Sequence, residues 1–352
     1  MSSSAAAALN PPSYVAAHRY DGAAVYHERA QALVPCAIQP RDVAIVRDIW
    51  RYKFLTAPQL IELWWPGSSD RAGQRRLRKL FDAGCVERFR PVVRRGSFPW
   101  TYQLGREGHR LLQGEGVIPA RARYSARRIY DYGYVLHEIQ LNAWVLAYRR
   151  ALGDQLVSWE GETSIEPPPE ARRAQLRFEG DWSAEQLREP RARLVRPDAV
   201  LEIDRDDGEQ GTRRFFIEYD RTRRIDKNYE KFRRYDAFLN WWCRDTSFGE
   251  AAEPPFVIFV CQDRAQLEQF LAAADRELTG HRWHPSAPPE EHVYVGRRHL
   301  LFADELDVHA GVLDAMRVPA FPAGHAARLP HVRRVRIPGR VLREGYRANS
   351  AS

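Results

Sequence analysis

Cysteine is scarce. Four residues in 352 (Cys36, Cys85, Cys243 and Cys261) are scattered, and no two form a CxxC pair. That spacing argues against a disulfide frame and against a zinc ribbon. Long apolar runs are also missing: none approaches the roughly 18–20 residues a membrane helix needs. There is no GxxxxGK[ST] run and hence no Walker-type ATP site. No G-x-S-x-G supports serine hydrolase chemistry, and no tyrosine-rich HxH pattern points to a relaxase nucleophile. The stretch MSSSAAAALNPPS has neither the basic start nor the apolar core of a signal peptide. The expectation is a cytoplasmic protein with no membrane partner.

What the sequence does have is charge, unevenly placed. The chain carries 54 Lys and Arg against 46 Asp and Glu, a net charge of +8. Residues 41–123 hold 17 basic against 8 acidic, and residues 317–352 hold 8 against 1. The middle, 124–316, is acidic, with 27 basic against 35 acidic. Two basic regions flanking an acidic one point to a polyanion partner, most simply nucleic acid. Charge kept only for solubility is the plainer alternative.

Residues 1–39, with a run of four alanines and three prolines, read as a disordered or loosely docked arm. From Pro40 the period becomes helical. RDVAIVRDIWRYKFL has an apolar stripe through Val43, Ile45, Val46, Ile49 and Trp50. Thr56 caps TAPQLIELWW, and Ser69 can cap DRAGQRRLRKLFDAG, which stops at Gly84. VERFRPVV and FPWTYQLG then read as a hairpin, and REGHRLLQGEG as a closing helix. Three helices followed by a two-stranded wing is the order of a winged helix, a helix-turn-helix variant, over 40–123.

The second half predicts a well-buried helix, DYGYVLHEIQLNAWVLAYRRA, then strands at QLVSWEGE, VRPDAVLEID and RRFFIEYD. A helix over roughly 225–242 follows, then the apolar strand PPFVIFVC, a helix RAQLEQFLAAADREL, and short strands at HVYVG and HLLFA. Residues 163–193, rich in Pro, Glu and Arg, read as an insertion. The fold class is thus α+β: a winged helix-turn-helix, then a mixed α/β domain over 124–310, then a basic tail over 311–352. Trp241 and Trp242 read as core residues on the helix stripe. HRWH at His281–His284, with Glu290, Glu291 and His292, has the composition of a metal site but reads as a polar loop among prolines.

In the basic helix, Leu77, Leu80 and Phe81 can face the core. Arg71, Arg75, Arg78 and Lys79 then project outward, with Arg76 nearer the boundary. Such a helix suits a major groove, where Arg pairs with guanine edges and phosphates. Arg94 and Arg95 at the wing, flanked by Arg88 and Arg90, would track the backbone. Double-stranded DNA is the expected partner; a basic solvated face on a protein-contact domain is the alternative.

In RPDAVLEID and FFIEYDRT, Asp198 and Glu218 stand near the start of one strand and the end of the next. Paired carboxylates are what a divalent ion needs for phosphodiester hydrolysis, with a lysine to offset charge in the transition state. The plain alternative is that Glu218 and Asp220 pair with Arg221, Arg223 or Arg224 at a strand end. The element order, with PD at Pro197–Asp198 and Glu-Tyr-Asp at 218–220, resembles the PD-(D/E)XK nuclease superfamily. That resemblance implies metal ligation by Asp198 and Glu218, with Mg²⁺ as cofactor if the site is catalytic, and a helical acid at Glu138. The sequence departs from the pattern where lysine is wanted: Asp220 stands there. Lys227 and Lys231, on the next helix, are the candidates for a lysine that has migrated.

The run LTAPQL…RRLRKL…G…TYQLGREG, then HE…N, RPDA and EYDRTRR, resembles more narrowly the bacterial plasmid replication-relaxation family, across most of 41–243. It implies an accessory role in replication, relaxation or mobilisation of plasmid-like DNA, and partners among replication or mobilisation proteins. Three outcomes stay open for the second domain: an active nuclease, a degenerate nuclease-like fold, or a dimerising or sensing module of a transcription or copy-number regulator. A homodimer would favour palindromic sites with half-sites about one helical turn apart.

Overall fold

The computed structural model describes residues 24–26, 33–91, 97–125, 132–169, 194–204, 211–219, 225–249, 253–280, 293–310, 312–320 and 335–337. Residues 10–145 and residues 146–352 form two units. Among the described residues no helix is long and apolar enough to cross a membrane.

The first unit is built on α1 (Pro40–Tyr52), α2 (Ala57–Trp64) and α3 (Asp70–Asp82). α1 starts where Gln39 and Asp42 cap each other and Pro40 stands at the first helical position. Ile45, Val46, Ile49 and Tyr52 form its buried stripe. α2 starts at a second capping box: Gln59 N–H donates to Thr56 Oγ1 at 3.4 Å, and Thr56 N–H to Gln59 Oε1 at 2.8 Å. α3 buries Gly73, Leu77, Leu80 and Phe81, and the chain leaves it through Gly84 at φ 79°. β3 (Val86–Pro91) and β4 (Thr101–Leu104) pair antiparallel, and α4 (Arg106–Gly114) follows.

Two short strands were not expected. β1 (Ala24–Tyr26), in the N-terminal arm, pairs with β3, and β2 (Leu55–Thr56), between α1 and α2, pairs with β4. The sheet order is β1-β3-β4-β2.

The first unit also holds the early turns of the long helix α5 (Tyr132–Leu152). Asn142 Nδ2 donates to the carbonyls of Tyr52 and Phe54 at 2.8 and 2.6 Å, and Gln59 Nε2 to that of Ile139 at 3.0 Å. Val135, Leu136 and Ile139 share a core with Phe54, Phe89 and Phe98. These contacts are why the division falls within α5, beyond the 123/124 boundary read from the sequence.

The second unit centres on a mixed seven-stranded sheet of order β11-β10-β9-β8-β7-β6-β5. β5 (Leu156–Gly161), β6 (Ala199–Asp204) and β7 (Thr212–Tyr219) run antiparallel. β8 (Phe256–Cys261) and β9 (Leu300–Asp304) then continue parallel to β7. β10 (Ala315–Arg317) and β11 (Val335–Ile337) close the sheet antiparallel, so the basic tail supplies two strands that its weak periodicity did not reveal. β8 is buried at every position, as its wholly apolar sequence requires.

Helix α6 (Ile225–Ala237) runs on through a wide π turn, Phe238–Trp242. Together with α7 (Arg264–Glu277) it packs Phe232, Tyr235, Leu239, Phe270 and Leu271 against Phe216, Phe259 and Phe302 of the sheet. Trp242 is buried, but Trp241, also expected in the core, is 38% exposed. HVYVG, read as a strand, is instead the entry to α8 (Val295–His299).

Around the π turn, buried Asp236 accepts from Gly280 N–H at 2.6 Å and from Asn240 Nδ2 at 3.0 Å. A Cβ at Gly296 would collide with Asp236 Oδ1. Gly296→Ala is therefore expected to cost about 1–3 kcal/mol, the usual range for overpacking, read as a lower denaturant midpoint at unchanged m-value.

Candidate functional site

Two groups of side chains have chemistry to offer, one in each unit. In the first, α3 is a helix with two fates for its cations. Arg71, Arg75, Arg78 and Lys79 are all exposed. At 3.6 residues per turn they cover an arc of about 100°, opposite the buried Gly73, Leu77, Leu80 and Phe81. Among the described residues Arg78 makes an exposed contact with Asp82 at 3.8 Å, and Arg75 Nε donates to the Arg71 carbonyl at 3.3 Å. Neither contact withdraws a charge from solvent.

Arg76, expected nearer the boundary of this row, is turned inward. Its Nε donates to Asp42 Oδ1 at 2.7 Å and its Nη2 to Asp42 Oδ2 and, at 2.7 Å, to the Ala37 carbonyl. Burial pushes the Asp42 carboxyl up, but the hydrogen bonds from Arg76 and Gln39 overcome it and hold it below its ordinary value. Sequence spacing cannot find this partner, which lies 34 positions away.

At the hairpin, Arg88 lies over the rings of Phe81 and Trp100, at 4.4 and 4.6 Å, and Arg90 over Trp100 at 4.2 Å. Arg94 and Arg95 lie outside the described residues.

In the second unit, β6 and β7 bring two carboxylates together. Ala199 pairs with Ile217, so one step on Asp198 stands opposite Glu218, on the same face of the sheet. Asp198 Oδ2 accepts the Tyr219 N–H at 2.7 Å, which fixes the carboxylate at the strand end. Glu218 is 1% exposed. Its Oε2 accepts from Lys231 Nζ at 2.6 Å and its Oε1 from Tyr235 O–H at 2.5 Å. Lys231 and Tyr235 are one turn apart on α6, so one helix face supplies both donors. Tyr235 is the member of this group that sequence reasoning misses, because its spacing places it with the apolar face of the helix.

Burial drives the Glu218 carboxyl up to about 7; the Lys231 ammonium opposes this and the Asp198 charge adds to it. A carboxyl raised in the fold binds its proton more tightly there than in the unfolded chain. Its contribution to stability is therefore full below about 4.5 and is lost as pH rises through about 7. Asp236, also raised to about 7 by burial, acts in the same direction. Comparison with Glu218→Gln separates the two. Relative to the variant, the wild type is expected to lose roughly 1–3 kcal/mol between pH 5 and pH 8, measured by urea melts at each pH.

The other sequence candidates are placed as follows. Glu138 lies in the first unit, where it accepts from Lys53 Nζ at 2.9 Å. Lys53 itself sits at φ 62° just after α1, and Tyr134 O–H is 3.2 Å from the same nitrogen. Lys227 lies in α6, and only its backbone is described. Asp220, Arg221, Arg223 and Arg224, and the His281–His284 segment with Glu290, Glu291 and His292, lie outside the described residues. Among the described residues no group of three or more His, Cys, Asp or Glu could hold a metal ion. The pair Asp198 and Glu218 matches an oxygen-preferring divalent ion in donor type, the rest of the shell being water and phosphate. Asp198 Oδ2 and both Glu218 oxygens each accept a hydrogen bond, and a carboxylate oxygen carries two lone pairs.

The protein is thus a two-unit α+β chain, with an exposed basic helix in one unit and a carboxylate–lysine cluster in the other. Residues 46–250 match the model of the replication-relaxation family, and the chain belongs to that family. The matched span runs from α1 through α6, so it includes α3, Asp198, Glu218, Lys231 and Tyr235. No curated protein and no solved structure matches the chain.

Proposed function

We propose that the protein is a DNA-binding accessory factor in the replication, relaxation or mobilisation of plasmid-like DNA, working in the cytoplasm. The observation that carries this is the four-cation arc of Arg71, Arg75, Arg78 and Lys79, exposed on one helix. A winged-helix reading of the first unit is supported by three features: the three helices, the β3–β4 hairpin that follows α3, and β2, which lies between α1 and α2 and pairs with that hairpin. In this reading α3 enters the major groove and the hairpin tracks the backbone, with Arg94 and Arg95 in the sequence between its two strands. The family assignment supports the setting in replication or relaxation, and with it partners among replication or mobilisation proteins.

The test is a titration of full-length protein against labelled duplex DNA over a series of salt concentrations. Binding that weakens linearly in log–log form is expected, with a slope of about −0.9 for each phosphate neutralised. No binding at low salt would sink the proposal.

A second reading is favoured by one observation: Lys231 Nζ lies 2.6 Å from Glu218, which stands opposite Asp198. In it the second unit is restriction-endonuclease-like and cuts DNA with a divalent ion. Mg²⁺ held by Asp198 and Glu218 would supply Lewis-acid stabilisation and an activated water. Lys231 would place positive charge beside the reacting phosphate. Without cleavage, the same unit serves as a further contact and assembly surface, or as the dimerising or sensing half of a regulator.

A further inference from the structure

We infer that the buried Asp42–Arg76 pair is a positioning device for DNA recognition: it sets the rotation of α3, and so controls DNA affinity without touching DNA. The inference rests on the reading of α3 as the DNA-contacting helix.

Arg76 belongs to the densest basic run of the chain, Arg75-Arg76-Leu77-Arg78-Lys79. Its side chain is 14% exposed and that of Asp42 is 0% exposed. The pair is two-pronged, with Nε on Oδ1 and Nη2 on Oδ2. A planar fork gripped at two points fixes orientation as well as distance. Asp42 is in turn fixed by the Gln39 N–H at 2.7 Å, inside the cap of α1. The Ala37 carbonyl takes a third bond from the same guanidinium, at 2.7 Å. Arg76 is therefore tied to the start of α1, not merely to a neighbouring charge.

Consecutive helical residues are about 100° apart around the axis. Pinning Arg76 at the edge of the buried face fixes where Arg75, Arg78 and Lys79 point. The apolar contacts of Leu77 and Leu80 are less directional, so the helix could turn on them by a fraction of a residue. The fork removes that freedom.

The test uses full-length protein, a labelled duplex and temperatures well below each variant's melting point. Asp42→Asn raises the net charge by one, so a purely electrostatic effect would tighten binding. Positioning requires the opposite, a loss of tenfold or more. Arg76→Lys keeps the charge and one bond while losing the fork, and guards against the first variant failing to fold. It is expected to weaken binding at least fivefold with an unchanged salt slope. Arg75→Ala is the comparison, expected to lower the slope by about one phosphate contact. Wild-type affinity in either folded variant, or a slope in Arg76→Lys reduced like that of Arg75→Ala, would overturn the inference. In the second case Arg76 would be a phosphate contact. Failure of wild-type protein to bind any duplex would instead remove the underlying reading.

Discussion

Reversing Arg75 and Arg78 together to glutamate is expected to weaken duplex binding by about 100-fold or more at moderate salt, and to lower the log–log salt slope by about two phosphate contacts. Both side chains are on the exposed arc of α3, and neither is used to hold the fold. The Arg78–Asp82 contact, at 3.8 Å between exposed groups, contributes little to stability. Stability should therefore stay within about 0.5 kcal/mol of wild type, as for most surface changes, and urea melts check this directly. Reversal also adds repulsion where attraction was, so its effect should exceed that of two alanines. If affinity and slope both stay at wild-type values, the basic face of α3 is only solvated surface, and the duplex is held by another part of the protein.

The second large effect concerns the acidic cluster. If the second unit cuts DNA, full-length protein with Mg²⁺ or Mn²⁺ nicks supercoiled plasmid, and Asp198→Ala and Glu218→Ala each abolish it. Lys231→Met should reduce it by two orders of magnitude or so, in line with the loss of a single electrostatic stabiliser. Two controls are built into the geometry. Glu218→Ala strands Lys231 and Tyr235 beside a small cavity, so its fold has to be checked by circular dichroism. Asp198 is less buried than Glu218, so Asp198→Ala opens less of the core and is the cleaner variant. Equal nicking by wild type and both alanine variants indicates a contaminating nuclease. No nicking by any of them leaves the cluster as a buried polar network in a DNA-contacting or assembly unit.

Much of this architecture was legible because it depends on near neighbours in the chain. The apolar stripe of α1, the Thr56 cap, the glycine stop at Gly84 and the apolar run of β8 are all local signals. They placed α1 to α4, the hairpin and the central strand. β2 was hidden because two residues carry no period; its hydrogen bonds come from β4, more than forty positions away. The five residues of α8 are too few to separate a helix from a strand by spacing.

The same limit applies at the sites. Two strands in register sufficed to bring Asp198 to Glu218, and their adjacency was readable from RPDA and FFIEYD. Lys227 and Lys231 share a helix face by spacing, so the sequence could not say which lysine reaches Glu218. Lys231 does so because Phe232 and Tyr235 dock α6 against the sheet beside it. Arg76 was placed near the boundary of α3, but the carboxylate that turns it inward comes from another helix.

The π turn at Phe238–Trp242 has a consequence for how this chain tolerates change in length. Such a turn holds one residue more than an α-helical turn over the same rise. Within it Trp242 sits inside while Trp241 faces out, and Asn240 Nδ2 donates to the Asp236 carbonyl at 2.8 Å. Removing one residue here would tighten the segment to an ordinary α-helix and leave α6 unaltered upstream. The residues beyond it would keep their phase, because the widened turn is what absorbs the extra residue. A single-residue deletion, which inside an ordinary helix turns everything after it by about 100°, would at this point leave the helix that carries Lys231 and the strand β8 that follows it in phase.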